Sequence, residues 1–276
     1  MSYKFLPDKM YRMPVHFGPS LGPRQVPDGV NLDYINSPNT TTLAVSFRSN
    51  PEQLEALLPE CFTLGDIPIV TISCSQMKNV DWLAGRGYSM IGVTFPARYS
   101  GKKDKLQGVF LAVLFENMCE PIITGREELG FSKMYSDISG PVVSENKAKV
   151  SASWEGFKFL DIEVNHLVNS SVDSAKNTTS QSDGMLHYKY IPKTSNWGDS
   201  DIEYPTFTPA SSDQSKVLKY YRGAGRISWN KAQWEDLPTL YNLVNTLADL
   251  EIIEYLDASL TYSVGGKKLR KQRILS

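Results

Sequence analysis

The residues of this 276-residue chain best equipped for chemistry are a lysine, three histidines and three cysteines. Lys133 closes the stretch Pro121-Ile122-Ile123-Thr124-Gly125-Arg126-Glu127-Glu128-Leu129-Gly130-Phe131-Ser132-Lys133-Met134. It reads as an apolar strand ending at Gly125, a brief helical turn, and a lysine emerging beside Phe131 and Met134. Such a lysine has two readings. It is a snorkelling side chain whose stem covers apolar surface, or an amine held away from water. An unperturbed lysine leaves roughly one amine in 2,500 neutral at pH 7, and only the neutral amine attacks a carbonyl carbon. Desolvation lowers the pKa by about 3–5 units and supplies that nucleophile. The other candidates are weaker. His16, His166 and His187 show no metal-ligand spacing, and Cys61, Cys74 and Cys119 are an odd set without a CxxC pair. Neither a disulfide framework nor a zinc site is expected, which suits a reducing compartment. Ser144-Glu145-Asn146-Lys147 matches SxxK, but its companion motifs are missing and it reads as a turn before a strand. GxGxxG, Walker A, HExxH and GxSxG are all missing, so no cofactor and no metal is implied.

The elements that must position Lys133 are mostly strands. A 41% hydrophobic and 21% charged composition is that of a chain that buries a core. The formal net charge of −1 gives no reason to expect a nucleic-acid partner. No apolar run reaches the ~20 residues of a membrane helix, and the start lacks a signal-peptide pattern, so a cytoplasmic protein without membrane attachment is expected. Residues 1–40, rich in proline and glycine, read as an extended N-terminal arm. Strands are expected at Thr40–Phe47, Ile67–Gln76, Ser89–Pro96, Gly108–Glu116, Lys147–Trp154, Phe157–Asn165, His187–Ile191, Lys216–Trp229 and Glu251–Val264. Asn50-Pro51-Glu52-Gln53 reads as a helix start that Pro59 stops. Leu237–Leu250 reads as a second helix capped by Asp236. The basic run 265–276 reads as a solvated tail. Many strands, few helices and no βαβ rhythm point to one mainly β (α+β) domain over 1–276, an antiparallel barrel or a pair of curved sheets.

The segment GREELGFSK, with the arm Met13-Pro14-Val15-His16-Phe17-Gly18-Pro19, resembles the acetoacetate decarboxylase-like superfamily. The similarity extends over most of the chain. It implies a closed, cone-shaped antiparallel β barrel with a few peripheral helices, assembled as a homo-oligomer. It also implies a Schiff-base lysine in an apolar cavity, at the position of Lys133. The small-molecule partner implied is a carbonyl compound, a keto acid first of all. The protonated imine withdraws electrons, accepting the pair left by departing CO2 or yielding an enamine for aldol chemistry.

Departures from the family pattern shape the expected site. The second lysine of the decarboxylases is Met134 here, expected to keep the site apolar. Their two pocket glutamates fall on Ser73 and Arg86, so Arg86 is expected to bind a substrate carboxylate or else to sit in a turn facing water. Their strand arginine falls near Thr40, and Arg24 is a second candidate anchor. Phe115 and Phe131 complete the expected substrate-binding set. Three functions follow: decarboxylation of a β-keto acid in small-molecule or specialised metabolism; an imine and enamine aldolase or dehydratase on a larger carbonyl compound; or a ligand-binding barrel that has lost catalysis.

Overall fold

The computed structural model describes residues 4–177, 182–210, 215–266 and 271–276. Its frame is a single sheet in which β-branched and aromatic side chains alternate between two faces. β1 (Asn39–Arg48) pairs antiparallel with β3 (Ile69–Val80) and with β14 (Glu254–Val264). β3 pairs with β4 (Arg86–Ser100), and β4 with β5 (Lys105–Glu116). On the far side β14 leads through β13 (Lys216–Trp229) and β10 (Phe157–Ser170) to β9 (Lys147–Trp154) and β7 (Asp137–Ile138). β2 (Phe62–Leu64) pairs with β4, and β8 (Val142–Ser144) with β9 across the Ser144–Lys147 turn.

Among the described residues, hydrogen bonds do not close the sheet into the expected barrel. The path of hydrogen bonds runs from β15 (Arg273–Ile274) through β12 (Ser200–Pro209) and β11 (Gly184–Pro192) to β5, and ends at β7. Its two edge strands, two residues each, do not pair with one another. Nor is the sheet wholly antiparallel. β5 divides its pairing: Val109 and Phe110 meet β11 in parallel, while Leu114–Glu116 meet β6 (Lys133–Tyr135) in parallel. The sheet splits at this point, and β6 occupies the split.

One face of the strands packs inward. Leu43, Val45, Ile72, Cys74, Ile91, Val93 and Phe115 are buried there against Val150, Phe159 and Ile162 from β9 and β10. Burial of this many aliphatic and aromatic groups, at roughly 1.5–3 kcal/mol each, is the main stabilising term. The arm, from residue 4 to Ser37 and Pro38, crosses the opposite face without joining the sheet.

Several local expectations are corrected. Pro121–Gly125 is not a strand: α2 (Cys119–Thr124) runs into a π-helical turn, Gly125–Leu129. α1 (Pro51–Glu55) has its Asn50 cap, whose side chain accepts from the Glu52 and Gln53 amides, but ends well before Pro59. α3 spans Val172–Asn177. α4 is confined to Tyr241–Ala248, because Asp236 accepts from the Gln233 amide in a preceding turn instead of capping the helix. Within the basic tail, 267–270 lie outside the described residues. The remainder is docked, with β15 on β12 and Leu275 buried.

Candidate active site

Strand alternation sets out the site. On β5, Val113 and Phe115 face the core, so Leu114 and Glu116 face the arm. β6 lies parallel to that end of β5 with Lys133 level with Leu114. On β4, Met90 is level with Glu116, and Tyr88 shares its face two residues earlier. Met77 of β3, Thr40 of β1 and Ser263 of β14 continue the row that Tyr88 begins. Arm residues Leu32, Tyr34 and Pro38 close over this face, and Pro121, Leu129 and Phe131 form the end wall. The cavity measures about 380 Å³.

Lys133 lies at the walled end, its side chain 7% exposed. Its Nζ is 2.8 Å from Glu116 Oε1 and donates to the Pro121 carbonyl at 2.9 Å. Glu116 is wholly buried. Burial acts on both groups against their charged forms: it lowers the Lys133 pKa and raises that of Glu116, while each group's charge opposes the shift in the other. Burial thus favours the neutral form of each group, and their mutual attraction the charged pair. Burial and the nearby Glu116 push the Tyr88 phenol upward, so it stays protonated. The Lys133 ammonium position is 5.6 Å from the Phe131 ring centre. Phe131 stacks on His187 with centroids 4.1 Å apart, and His187 Nε2 lies 3.0 Å from Thr208 Oγ1. Burial, then the Lys133 charge, depresses the His187 pKa to about 3, leaving a neutral ring at working pH.

The segment before the lysine is tied down residue by residue. Gly125 is close enough to Lys133 that a side chain there would collide with it. Arg126 donates to the Lys133 carbonyl at 2.8 Å. Lys189 donates to the Glu127 carbonyl at 2.5 Å. The Leu129 carbonyl accepts from Thr206 Oγ1 at 3.1 Å and from the Gln272 amide. Gly130 turns the chain at φ +77° directly above the Lys189 side chain. Glu128 receives the arm: Arg24 Nη2 and Nε reach one oxygen at 2.5 and 3.1 Å, and Arg12 Nε lies 3.0 Å from the other.

Of the expected site residues, the structure brings Lys133 and Phe131 together and leaves the rest outside the cavity. Met134 is the next residue of a strand, so it points to the other face and meets Arg126. Phe115 alternates with Glu116 and packs in the core 5.2 Å from Phe159. Arg86 is exposed after the left-handed turn of Ala84 and Gly85, and donates to the Leu83 carbonyl at 3.3 Å. That is the turn arginine facing water, not the carboxylate anchor. Arg24 is engaged by Glu128. Ser73 lies in the register row of Lys133 but three strands away, about 14 Å at ordinary strand spacing, behind Gly92. Glu116 and Tyr88 were missed. Glu116 had a signal: it is the one acid of β5, closing the apolar run from Val109 to Phe115 just before the lysine segment. Among the described residues no cluster of His, Cys, Asp and Glu has a geometry that holds a metal ion. No helix among them is long and apolar enough to cross a membrane.

Comparison with known proteins adds to this geometry. The family model for acetoacetate decarboxylase (ADC) matches residues 12–271. Among solved structures, a chain from "Structural Studies of Acetoacetate Decarboxylase" is similar at 16% identity and TM-score 0.67, covering 88% of this chain and 91% of that one. Acetoacetate decarboxylase from Legionella pneumophila is similar at 17% identity and TM-score 0.66, covering 91% and 92%. The enduracididine biosynthesis enzyme MppR, complexed with pyruvate, is similar at 13% identity and TM-score 0.62, covering 87% and 89%. At such identities the likeness is one of fold. A search of curated proteins gives no match.

Proposed function

The chain belongs to the acetoacetate decarboxylase (ADC) family, and from that premise we propose that it is an imine-forming carbon–carbon lyase with Lys133 as nucleophile. The observation that carries this is the Lys133–Glu116 pair, 2.8 Å apart and buried at the closed end of a largely apolar cavity. The neutral Lys133 amine adds to a carbonyl carbon. Glu116 gives its proton to the departing hydroxyl, so water leaves and a protonated imine remains beside a carboxylate. That carboxylate then takes the proton of a β-hydroxyl. The Cα–Cβ bond breaks toward the imine, an aldehyde departs, and the enamine is reprotonated at Cα and hydrolysed. One proton shuttled by one carboxyl group serves each step.

We favour this aldol-type course, run in either direction or ending in dehydration. Among the described residues the cavity lining holds no arginine and no second lysine to clamp a carboxylate. The relative MppR is described in complex with pyruvate and with the condensation product of pyruvate and imidazole 4-carboxaldehyde, which supports the same chemistry on this fold. Decarboxylation of a β-keto acid is the second reading, favoured by the family and by apolar walls that destabilise a carboxylate. Homo-oligomeric assembly, a cytoplasmic setting and a place in specialised metabolism accompany the proposal.

The test is borohydride reduction with pyruvate, acetoacetate and a neutral methyl ketone, read by intact mass and peptide mapping. The expected result is an adduct on Lys133 that Lys133→Ala lacks. No adduct with any carbonyl compound, while small apolar ligands still bind, makes the protein a non-catalytic ligand-binding fold.

A further inference from the structure

The cavity is far larger than a short keto acid needs, and its polar groups are not distributed as one would require. At the roughly 30 Å³ that a water occupies in the liquid, 380 Å³ corresponds to about a dozen heavy atoms. From Glu116 on β5 to Ser263 on β14 the floor crosses four strand spacings, about 19 Å. Along it, Tyr88, Thr40 and Ser263 present hydroxyls that no described residue takes up, while Met77 and Met90 provide apolar floor between them. Among the described lining residues, the charged groups at the arm side are acids. Asp33 accepts from the Asn36 side-chain amide and from the Asn36 and Ile35 backbone amides, which hold its carboxyl below the usual range, and Asp81 accepts from the Asp33 amide. A second carboxylate on the substrate would meet these two and find no described cation except the nucleophile.

We infer that the compound reaching Lys133 is a neutral, elongated β-hydroxy or β-oxo carbonyl compound of about ten heavy atoms, not a short keto acid. Its carbonyl carbon lies at Lys133 and its β-oxygen between Glu116 and Tyr88. Its apolar body extends over Met90 and Met77 toward Thr40. The inference rests on the imine-forming reading of Lys133, so its test needs a readout independent of the amine.

Two compound series serve: 4-hydroxy-2-alkanones of four to ten carbons, and pyruvate, acetoacetate and longer 3-keto acids at matched concentrations. Borohydride trapping on Lys133 reads imine formation, and the rise in melting temperature reads occupancy. Trapping of the neutral series is expected to increase about fourfold per added methylene and to exceed that of pyruvate and acetoacetate at least tenfold. Tyr88→Phe is expected to reduce the preference for the hydroxyketone over the plain 2-alkanone of equal length. Asp33→Asn with Asp81→Asn is expected to raise trapping of the 3-keto acids several-fold. Keto acids that trap Lys133 as well as the long neutral ketones overturn the substrate class and leave the imine standing. Long neutral ketones that raise the melting temperature without an adduct support the substrate class and overturn the imine. No response in either readout overturns both.

Discussion

A β-carbon placed on Gly125 would collide with Lys133 Cε and lie 2.8 Å from its Nζ. The glycine of the GRE segment is thus the space in which the lysine stem lies, and its backbone is ordinary helix, φ −67°. Gly125→Ala is expected to displace the amine from Glu116 and to cut borohydride trapping at least a hundredfold. The overpacking should cost about 1–3 kcal/mol, so the fold persists. Trapping rate and thermal denaturation measured on the same sample separate the two effects.

Glu116 and Lys133 work against each other's burial. In Glu116→Gln the carboxylate charge that raises the Lys133 pKa is gone, while desolvation remains. The pH midpoint of imine trapping is expected to move further down. Turnover is expected to fall about 10²–10⁴-fold, because the proton carrier is lost. A midpoint that moves up instead would contradict this account of the pair.

Glu128→Ala leaves Arg12 and Arg24 without their shared partner in a mostly buried setting. The expected loss is about 2–3 kcal/mol, somewhat below that of a fully buried pair. Limited proteolysis should then cleave within residues 4–38 before it touches the sheet. Glu128→Gln, which keeps the shape, should show an intermediate rate.

His187 gives a pH signature. Its folded pKa of about 3 lies below the ordinary 6.5 because burial disfavours the imidazolium. Between these values the unfolded chain binds a proton that the folded one does not. The contribution is therefore complete above about pH 6.5 and is lost as pH falls toward 3. His187→Gln should flatten the acid limb of stability between those limits, measured by urea denaturation at stepped pH. If Phe131 also loses its stacking partner, trapping at neutral pH should fall modestly while its pH midpoint stays close to that of the parent chain.

Most of the sheet was legible in the sequence because β-branched runs such as Thr40–Phe47 and Lys216–Trp229 carry their own signal. Sequence proximity was a poor guide to the site. Met134 adjoins Lys133 in the chain but lies on the opposite face, and Phe115 adjoins Glu116 in the same way. Alternation within β5 and β6 decides both, and neither face can be assigned until the parallel pairing of those strands is known. Arg86 turns outward because Ala84 and Gly85 adopt left-handed backbone, a local geometry that resemblance to the family's pocket positions does not register. The strands β12 and β15 lack a strong pattern of their own and are held by their neighbours.

Gln272 fastens the carbonyl of Leu129, in the turn that leads into Lys133. The two are separated in translation by 143 residues. The nascent chain can complete the lysine, its glutamate and the arm long before this clamp exists. The turn before Lys133 thus acquires this hydrogen bond only once the segment around Gln272 has docked beside β12.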